Sequence, residues 1–276
     1  MTPGSPHVTL PLSWSAVAWN PVPDSENRIH ADDVARAYGF RGGLVPGVVV
    51  SAYLLHPAAV AWGEDFAARG HAHVSVDSPV YDGERFRVEV SDAAEHAYHA
   101  RLVDLRDVAC AHAEVSLPEV APIPPVRRGD PPLDRDAPRP LATREALETL
   151  RDTGLGALRA RWDAESEITG YLRDPAAMAP VYAMEGLASP AFVLGLSNWV
   201  LARNLHMPAW VHLETSSSFF AGIAPGTEVV AEAAVAELFE RRGHAFVDLD
   251  VGVFGAADDA PRAAIRLRAI YRLRDR

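Results

Sequence analysis

Two long apolar runs set the pattern of the chain, GLVPGVVVSAYLLHPAAVAW at 43–62 and GLASPAFVLGLSNWVLARNL at 186–205. Each is apolar around most of a helical circumference, which predicts a helix buried on all sides rather than one lying on a surface. After each run the period changes from helical to alternating. Segments 73–79, 85–91, 96–104 and 108–117 follow the first run, and 212–220, 228–238, 244–254 and 263–273 follow the second. They alternate or carry β-formers, with turn residues such as Asp82-Gly83 between them, so each helix leads into an antiparallel meander. Shorter helices are expected at 32–38, where Asp32 and Asp33 favour the first turn, and at 144–150 behind Thr143 as N-cap, with Gly154 and Gly156 interrupting it.

Between the two sets lies a proline-rich stretch, 118–140, which cannot hold a helix and lacks the amide donors of a sheet. It divides the chain into a first module at 1–117, a linker at 118–142 and a second module at 143–276. The modules echo one another. Gly43-Leu44 matches Gly186-Leu187 at an offset of 186 − 43 = 143, and Gly83 matches Gly226 at the same offset, 226 − 83 = 143. His96-Ala97-Tyr98 is echoed by His244-Ala245-Phe246 at an offset of 148, which a short loop insertion would give. A long buried helix followed by an antiparallel meander is the hot-dog arrangement, in which sheet wraps helix. Two of them in one chain predict an α+β double hot dog. In the second module, 164–184 fills the place that the first gives to the loop before its long helix.

Composition narrows the function. The formal net charge of −11 disfavours nucleic acid as a partner, because phosphate binding needs clustered cations. All 26 basic residues are Arg, so Schiff-base chemistry on a lysine is excluded. The one cysteine, Cys110, falls in an alternating segment and reads as a buried strand residue; an intrachain disulfide is impossible and a reducing cytoplasm is the natural location. No window approaches the roughly 18 apolar residues of a membrane span, and the first residues carry no charged region followed by an apolar stretch, so no membrane partner is expected. With no G-x-S-x-G elbow, paired-Cys spacing or glycine-rich phosphate loop, neither a metal nor a nucleotide cofactor is expected.

The most informative segment is Asp24-Ser25-Glu26-Asn27-Arg28-Ile29-His30-Ala31-Asp32, followed by Ala35, Gly39-Phe40, Gly43 and Pro46-Gly47. It resembles the MaoC-like hydratase and dehydratase family, with Asn27, His30, Gly39, Phe40 and Gly47 where the family pattern expects them. Three positions depart from that pattern. Ser25 occupies the place of the family's catalytic aspartate, with Asp24 one residue earlier; Arg28 replaces a proline and Pro46 a histidine. The resemblance implies an acyl thioester of coenzyme A or of a carrier protein as substrate. It further implies that an acid/base pair holds the water that adds across a 2-enoyl double bond, and that an amide at the helix start polarises the thioester carbonyl. Here those roles would fall to His30, with Asp24 or Ser25 beside it, and to the backbone near Gly47, with Asn27 and Gly43 lining the substrate.

Further polar groups stand at the second module. Glu185, directly before Gly186, is where a hot-dog thioesterase would place a water-activating carboxylate, and Asn198 beside Ser197 interrupts the apolar helix and could line a pocket between modules. Three functions stay open on the residues alone. They are a hydratase or dehydratase; a thioesterase or altered-dyad lyase or cyclase of secondary metabolism; and an acyl-binding partner subunit without catalysis. A double hot dog contains a dimer-like interface in one chain, so a monomer or a homodimer is compatible with it.

Overall fold

The computed structural model describes residues 9–134 and 136–274. The first half runs β1 (Ser13–Val17), the short helix α1 (Asp32–Ala37), the long helix α2 (Gly47–Arg69), then β2 (His71–Val76), β3 (Arg85–Ala94), β4 (Ala97–Asp104) and β5 (Ala109–Ser116). The second half runs α3 (Arg144–Thr153), β6 (Leu158–Arg161), α4 (Pro180–Ala183), α5 (Pro190–Asn204), β7 (Val211–Phe219), β8 (Glu228–Arg241), β9 (His244–Gly255) and β10 (Pro261–Arg272). Thr143 caps α3 by accepting from the Ala146 amide at 3.1 Å, and Gly154, at φ 88°, ends it.

The described strands form one ten-stranded antiparallel sheet in the order β1-β3-β4-β5-β2-β7-β10-β9-β8-β6. The order reads the same from either edge once each strand is replaced by its counterpart, with β2 and β7 paired at the centre. There His73 opposes Ser216, its ring nitrogen Nδ1 lying 2.7 Å from the Ser216 hydroxyl. These residues are 216 − 73 = 143 apart, so each is the other's counterpart and a local twofold passes between them. The helices obey the same rule, since α2 starts at Gly47 and α5 at Pro190, and 190 − 47 = 143.

Both long helices are buried on most sides, as their unbroken apolar pattern predicts: Tyr53, Leu54 and Leu55 of α2 and Leu194, Leu196 and Leu201 of α5 have no exposed surface. Pro57 crowds the preceding turn of α2. The Tyr98 hydroxyl repairs the break, accepting from the Ala58 amide at 3.3 Å and donating to the Leu54 carbonyl at 2.9 Å. Further on, Gly63 at φ 49° interrupts the helix.

The structure corrects one alignment. Pairing of Val88 with Leu102 and of Ala231 with Val253 makes Leu102 and Val253 equivalent, at 253 − 102 = 151 rather than 148. Tyr98 points into the main core, whereas Phe246 packs in a separate outer cluster with Phe239 and Ile270. The physical reason is an extended hairpin. β8 and β9 have 14 and 12 residues against 10 and 8 in β3 and β4, four extra on each strand. Edge strands β1 and β6, five and four residues long, escaped the sequence pattern because so short an alternation is not distinctive.

The proline-rich segment is extended but not loose. Glu232 of β8, 1% exposed, accepts the backbone amides of Arg128, Gly129 and Asp130 at 2.6, 3.0 and 3.1 Å and so pins the segment to the sheet. Among the described residues, no helix is long and apolar enough to cross a membrane.

Candidate functional site

The loop that carries the motif is fastened to the other half of the molecule. Asn27 caps a single 3-10 turn, Arg28–His30. Its Oδ1 accepts from the Trp210 amide at 3.1 Å and its Nδ2 donates to the Trp210 carbonyl at 3.0 Å, so both ends of the side-chain amide are committed to the segment entering β7. The Arg28 amide adds a bond to the Pro208 carbonyl at 2.9 Å, and Ile29 anchors the turn in the outer apolar cluster. Asn27 thereby fixes the orientation of its Nδ2, which also faces His30 Nε2 at 3.2 Å.

His30 Nδ1 lies 2.7 Å from the Leu44 carbonyl. A carbonyl only accepts, so Nδ1 carries the proton and Nε2 presents a lone pair toward Asn27. Loss of solvent around the ring pulls its pKa from 6.5 down to about 4, against a smaller upward push from the Leu44 bond. At neutral pH His30 is therefore an uncharged acceptor.

Gly43 makes this arrangement possible. A Cβ there would stand 2.1 Å from the His30 carbonyl oxygen, so only glycine lets the 41–44 segment approach close enough for Leu44 to receive the imidazole proton. Asp32 closes the same turn, taking the Gly43 amide at 2.8 Å and the Arg36 guanidinium at 2.7 Å. Gly43, expected to line the substrate, instead positions His30.

Gly47 opens α2 under a similar constraint. A Cβ would lie 2.7 Å from His212 Cδ2 and 2.9 Å from the His212 carbonyl oxygen. His212 of β7 is the residue that sequence reasoning missed; it sat in a plain strand pattern with no motif around it. It is 5% exposed, donates Nδ1–H to Asn198 Oδ1 at 2.9 Å, and receives the Thr215 hydroxyl at Nε2. Burial lowers its pKa to about 3. Asn198 of α5 and His212 of β7 thus belong to the same half and are joined by this bond.

Asn27, His30, Gly47, Asn198 and His212 line a cavity of about 210 Å³ whose remaining walls are mostly apolar, including Phe40, Val76 and Ile270. Asn27, His30, Pro46, Asn198 and Trp210 also border a second, more polar depression of about 440 Å³, so they form the partition between the two spaces. Asp24 and Ser25 lie along this second space. Asp24 is exposed, and Ser25 donates to the Asn27 carbonyl at 3.3 Å. Glu26 is held by Arg139 at 2.7 Å. Among the described residues, Asp77 is the one carboxylate in the lining of the apolar cavity. Glu185 is outside both spaces, beside Glu64 at the surface, where desolvation first, then a hydrogen bond and the like charge of Glu64, push its carboxyl up.

No protein-family model and no curated protein matches the chain. Solved structures do match it. A Mycobacterium tuberculosis protein described as essential for bacterial survival during infection, with a double hotdog fold, superposes with a TM-score of 0.58 at 13% identity over 95% of this chain and 96% of its own. The chain has a double hot-dog fold. A Chloroflexus aurantiacus protein named as a MaoC domain dehydratase gives a TM-score of 0.55 at 10% identity, covering 98% of each chain. A Thermobifida fusca protein named as a thioesterase II gives 0.51 at 13% identity, covering 94% of this chain and 92% of that one. MaoC-like dehydratases and thioesterases thus both stand among the structural neighbours of this double hot dog.

Proposed function

We propose that this chain hydrates a 2-enoyl thioester, or in reverse dehydrates a 3-hydroxyacyl thioester, with His30 as its proton-transfer group. The observation that carries this reading is the fixed tautomer of His30. With Nδ1 tied to Leu44, Nε2 is the nitrogen that could exchange a proton once its contact with Asn27 Nδ2 opens, and it stands at the partition between an apolar and a polar space. Burial keeps the ring neutral at physiological pH, its pKa lowered to about 4, so it is in the form that accepts a proton.

In the forward direction Nε2 takes a proton from water as the water oxygen bonds to C3. The C2–C3 electron pair moves toward the thioester carbonyl, and the imidazolium then returns the proton to C2. One ring serves both transfers, so atoms and charge balance. The developing enolate oxygen is placed at the start of α2, where Val49 and Val50 are the first amides shown bonded to the Pro46 carbonyl and the two before them lie at the positive end of the helix. At Gly47 the space of a side chain is taken by His212, so a ligand would meet this end from the cavity that Pro46 and Gly47 line. The apolar cavity takes the acyl group, and its 210 Å³ is below the roughly 300–1,000 Å³ of sites for drug-sized ligands, which favours a short chain.

The decisive test follows enoyl absorbance and free thiol together, with crotonyl and longer enoyl thioesters and with His30→Ala in parallel. Loss of enoyl absorbance without thiol release, abolished in the variant, supports hydration. Thiol release instead moves the chain to the thioesterases; a raised Tm without turnover makes it an acyl-binding subunit. Glu185 does not favour hydrolysis, because it lies outside the cavity.

A further inference from the structure

The proton transfers at His30 make no use of His212, although burying an imidazole and keeping it neutral costs desolvation. Both nitrogens of that ring are engaged. The hydroxyl of Thr215, a residue 1% exposed, gives its one proton to Nε2, so the ring's own proton is confined to Nδ1 and goes to Asn198 Oδ1 at 2.9 Å. That leaves Asn198 with Nδ2, a group that only donates. Among the described residues Nδ2 has no hydrogen-bond partner, and it is not sealed in the interior as the unpaired Trp14 Nε1, Ser189 Oγ and Arg262 Nε are. The neighbouring Ser197 hydroxyl, by contrast, is spent on the Leu194 carbonyl at 2.6 Å. Asn198 lines both the apolar cavity and the polar depression, as His30 does. An oriented, unpaired donor thus borders the space of the reacting atoms, where an acceptor oxygen would satisfy it.

The same ring brings this donor to the start of α2. A Cβ at Gly47 would stand 2.7 Å from His212 Cδ2, so the imidazole packs directly on that helix start, and Pro46 and Gly47 line the apolar cavity together with Asn198. We propose, resting on the enoyl-thioester reading above, that Asn198 Nδ2 is a catalytic donor to the thioester carbonyl oxygen, beside the amides that open α2, and that His212 and Thr215 are positioning residues that fix its amide. The carbonyl is then held from both halves of the molecule, by α2 of the first and α5 of the second. As the water oxygen bonds to C3, the C2–C3 electron pair moves onto the carbonyl oxygen. The Asn198 proton stays on nitrogen while its hydrogen bond to the enolate strengthens, and the proton that reaches C2 comes from His30. A bond that strengthens only in the transition state raises kcat rather than affinity.

Asn198→Asp keeps the shape of the side chain but puts an oxygen where the donor was, and Asn198→Ala removes the group. In proteins of unchanged Tm each should lower kcat for crotonyl coenzyme A roughly 100-fold to 1,000-fold with KM nearly constant. Thr215→Val frees the imidazole proton to move to Nε2 and the Asn198 amide to turn, so kcat should fall by a smaller factor, and Thr215→Ser should restore it. Equal losses in the two Thr215 variants overturn the positioning role. Isotope-edited infrared spectroscopy reads the bond without any reaction. The probe is the ketone analogue of butyryl coenzyme A, with CH2 in place of the thioester sulfur and ¹³C at the carbonyl, which can be neither hydrated nor hydrolysed. Its carbonyl band should lie lower on the wild type than on Asn198→Ala. The same band on both proteins, no binding of the ketone, or a kcat that survives Asn198→Asp overturns the proposal, and crotonyl turnover in the wild type would leave the hydratase reading standing. A lowered band in a wild type that turns over no enoyl thioester supports the donor and removes the hydration. Should Asn198→Asp fail to fold, the band on Asn198→Ala decides.

Discussion

The molecule carries the same cavity twice, open in one half and closed in the other. Val45, Gly47, Val76 and Val80 line the open one; 143 positions on, Ala188, Pro190, Phe219 and Ile223 line a residual space of about 10 Å³ against 210 Å³. Bulk explains the closure. Phe219 replaces Val76, and Tyr182 of α4 also borders the closed space. The chemistry differs as well, because the 3-10 turn of the second half, Pro175–Ala177, is capped by Asp174 where the first has Asn27 and ends in Ala177 where the first has His30; the exposed Arg173 just before it pairs with Asp82 at 3.7 Å. Duplication thus built two equivalent places, and side-chain volume together with one loop kept a single one usable.

The largest test of this asymmetry is His30→Ala, which should lower turnover roughly 100-fold to 10,000-fold, while Arg173→Ala leaves it unchanged in the same absorbance assay. Next, Phe219→Ala should cost about 3–5 kcal/mol in denaturant unfolding, as a buried aromatic truncation, and open the second space without adding activity. If activity rose, the closed half would hold latent chemistry and the comparison would fail. Asn27→Ala removes both Trp210 bonds and should cost about 1–3 kcal/mol, with turnover reduced because His30 loses its clamp.

Smaller effects sharpen the electrostatics. His30 is held at about 4 in the folded chain against an ordinary 6.5, so below pH 6.5 the unfolded chain takes up a proton that the folded one refuses until about 4. The contribution of this ring to stability is complete above pH 6.5 and declines as the pH is lowered to about 4, and His56 near 4 and His212 near 3 act with the same sign. Denaturant titrations at pH 7 and 5 should record that loss. The kcat/KM profile should stay level through pH 6.5 and bend only near 4; a bend at 6.5 that persists in His30→Ala would show that His30 is not the base. The least effect is expected of Glu185→Gln, within about 0.5 kcal/mol in stability and without change in turnover.

Much of the site was legible because the loop from Asn27 to Gly47 is local in sequence. His30 and the helix start at Gly47 both fall on the cavity. Gly43 was found for the wrong reason: what it supplies is close approach to His30, and that distance depends on how the 41–44 segment folds back. Glu185 was misjudged because the offset of 143 aligned it with a helix start but said nothing about the direction in which its side chain leaves. His212 could not be singled out, since Asn198 meets it only after the chain turns back from α5 into β7, and Gly47 only across the joined halves.

By itself the sequence determined the two buried helices, the meanders after them and the repeat of 143, because apolar periodicity and turn residues act over a few neighbours. Tertiary structure alone decided the rest: the central pairing of β2 with β7, the fastening of Asn27 to Trp210, the neutral state of His30, and the closure of the second cavity. Each of these depends on desolvation or on the volume left between side chains far apart in the chain, and such quantities exist only once the halves have packed together.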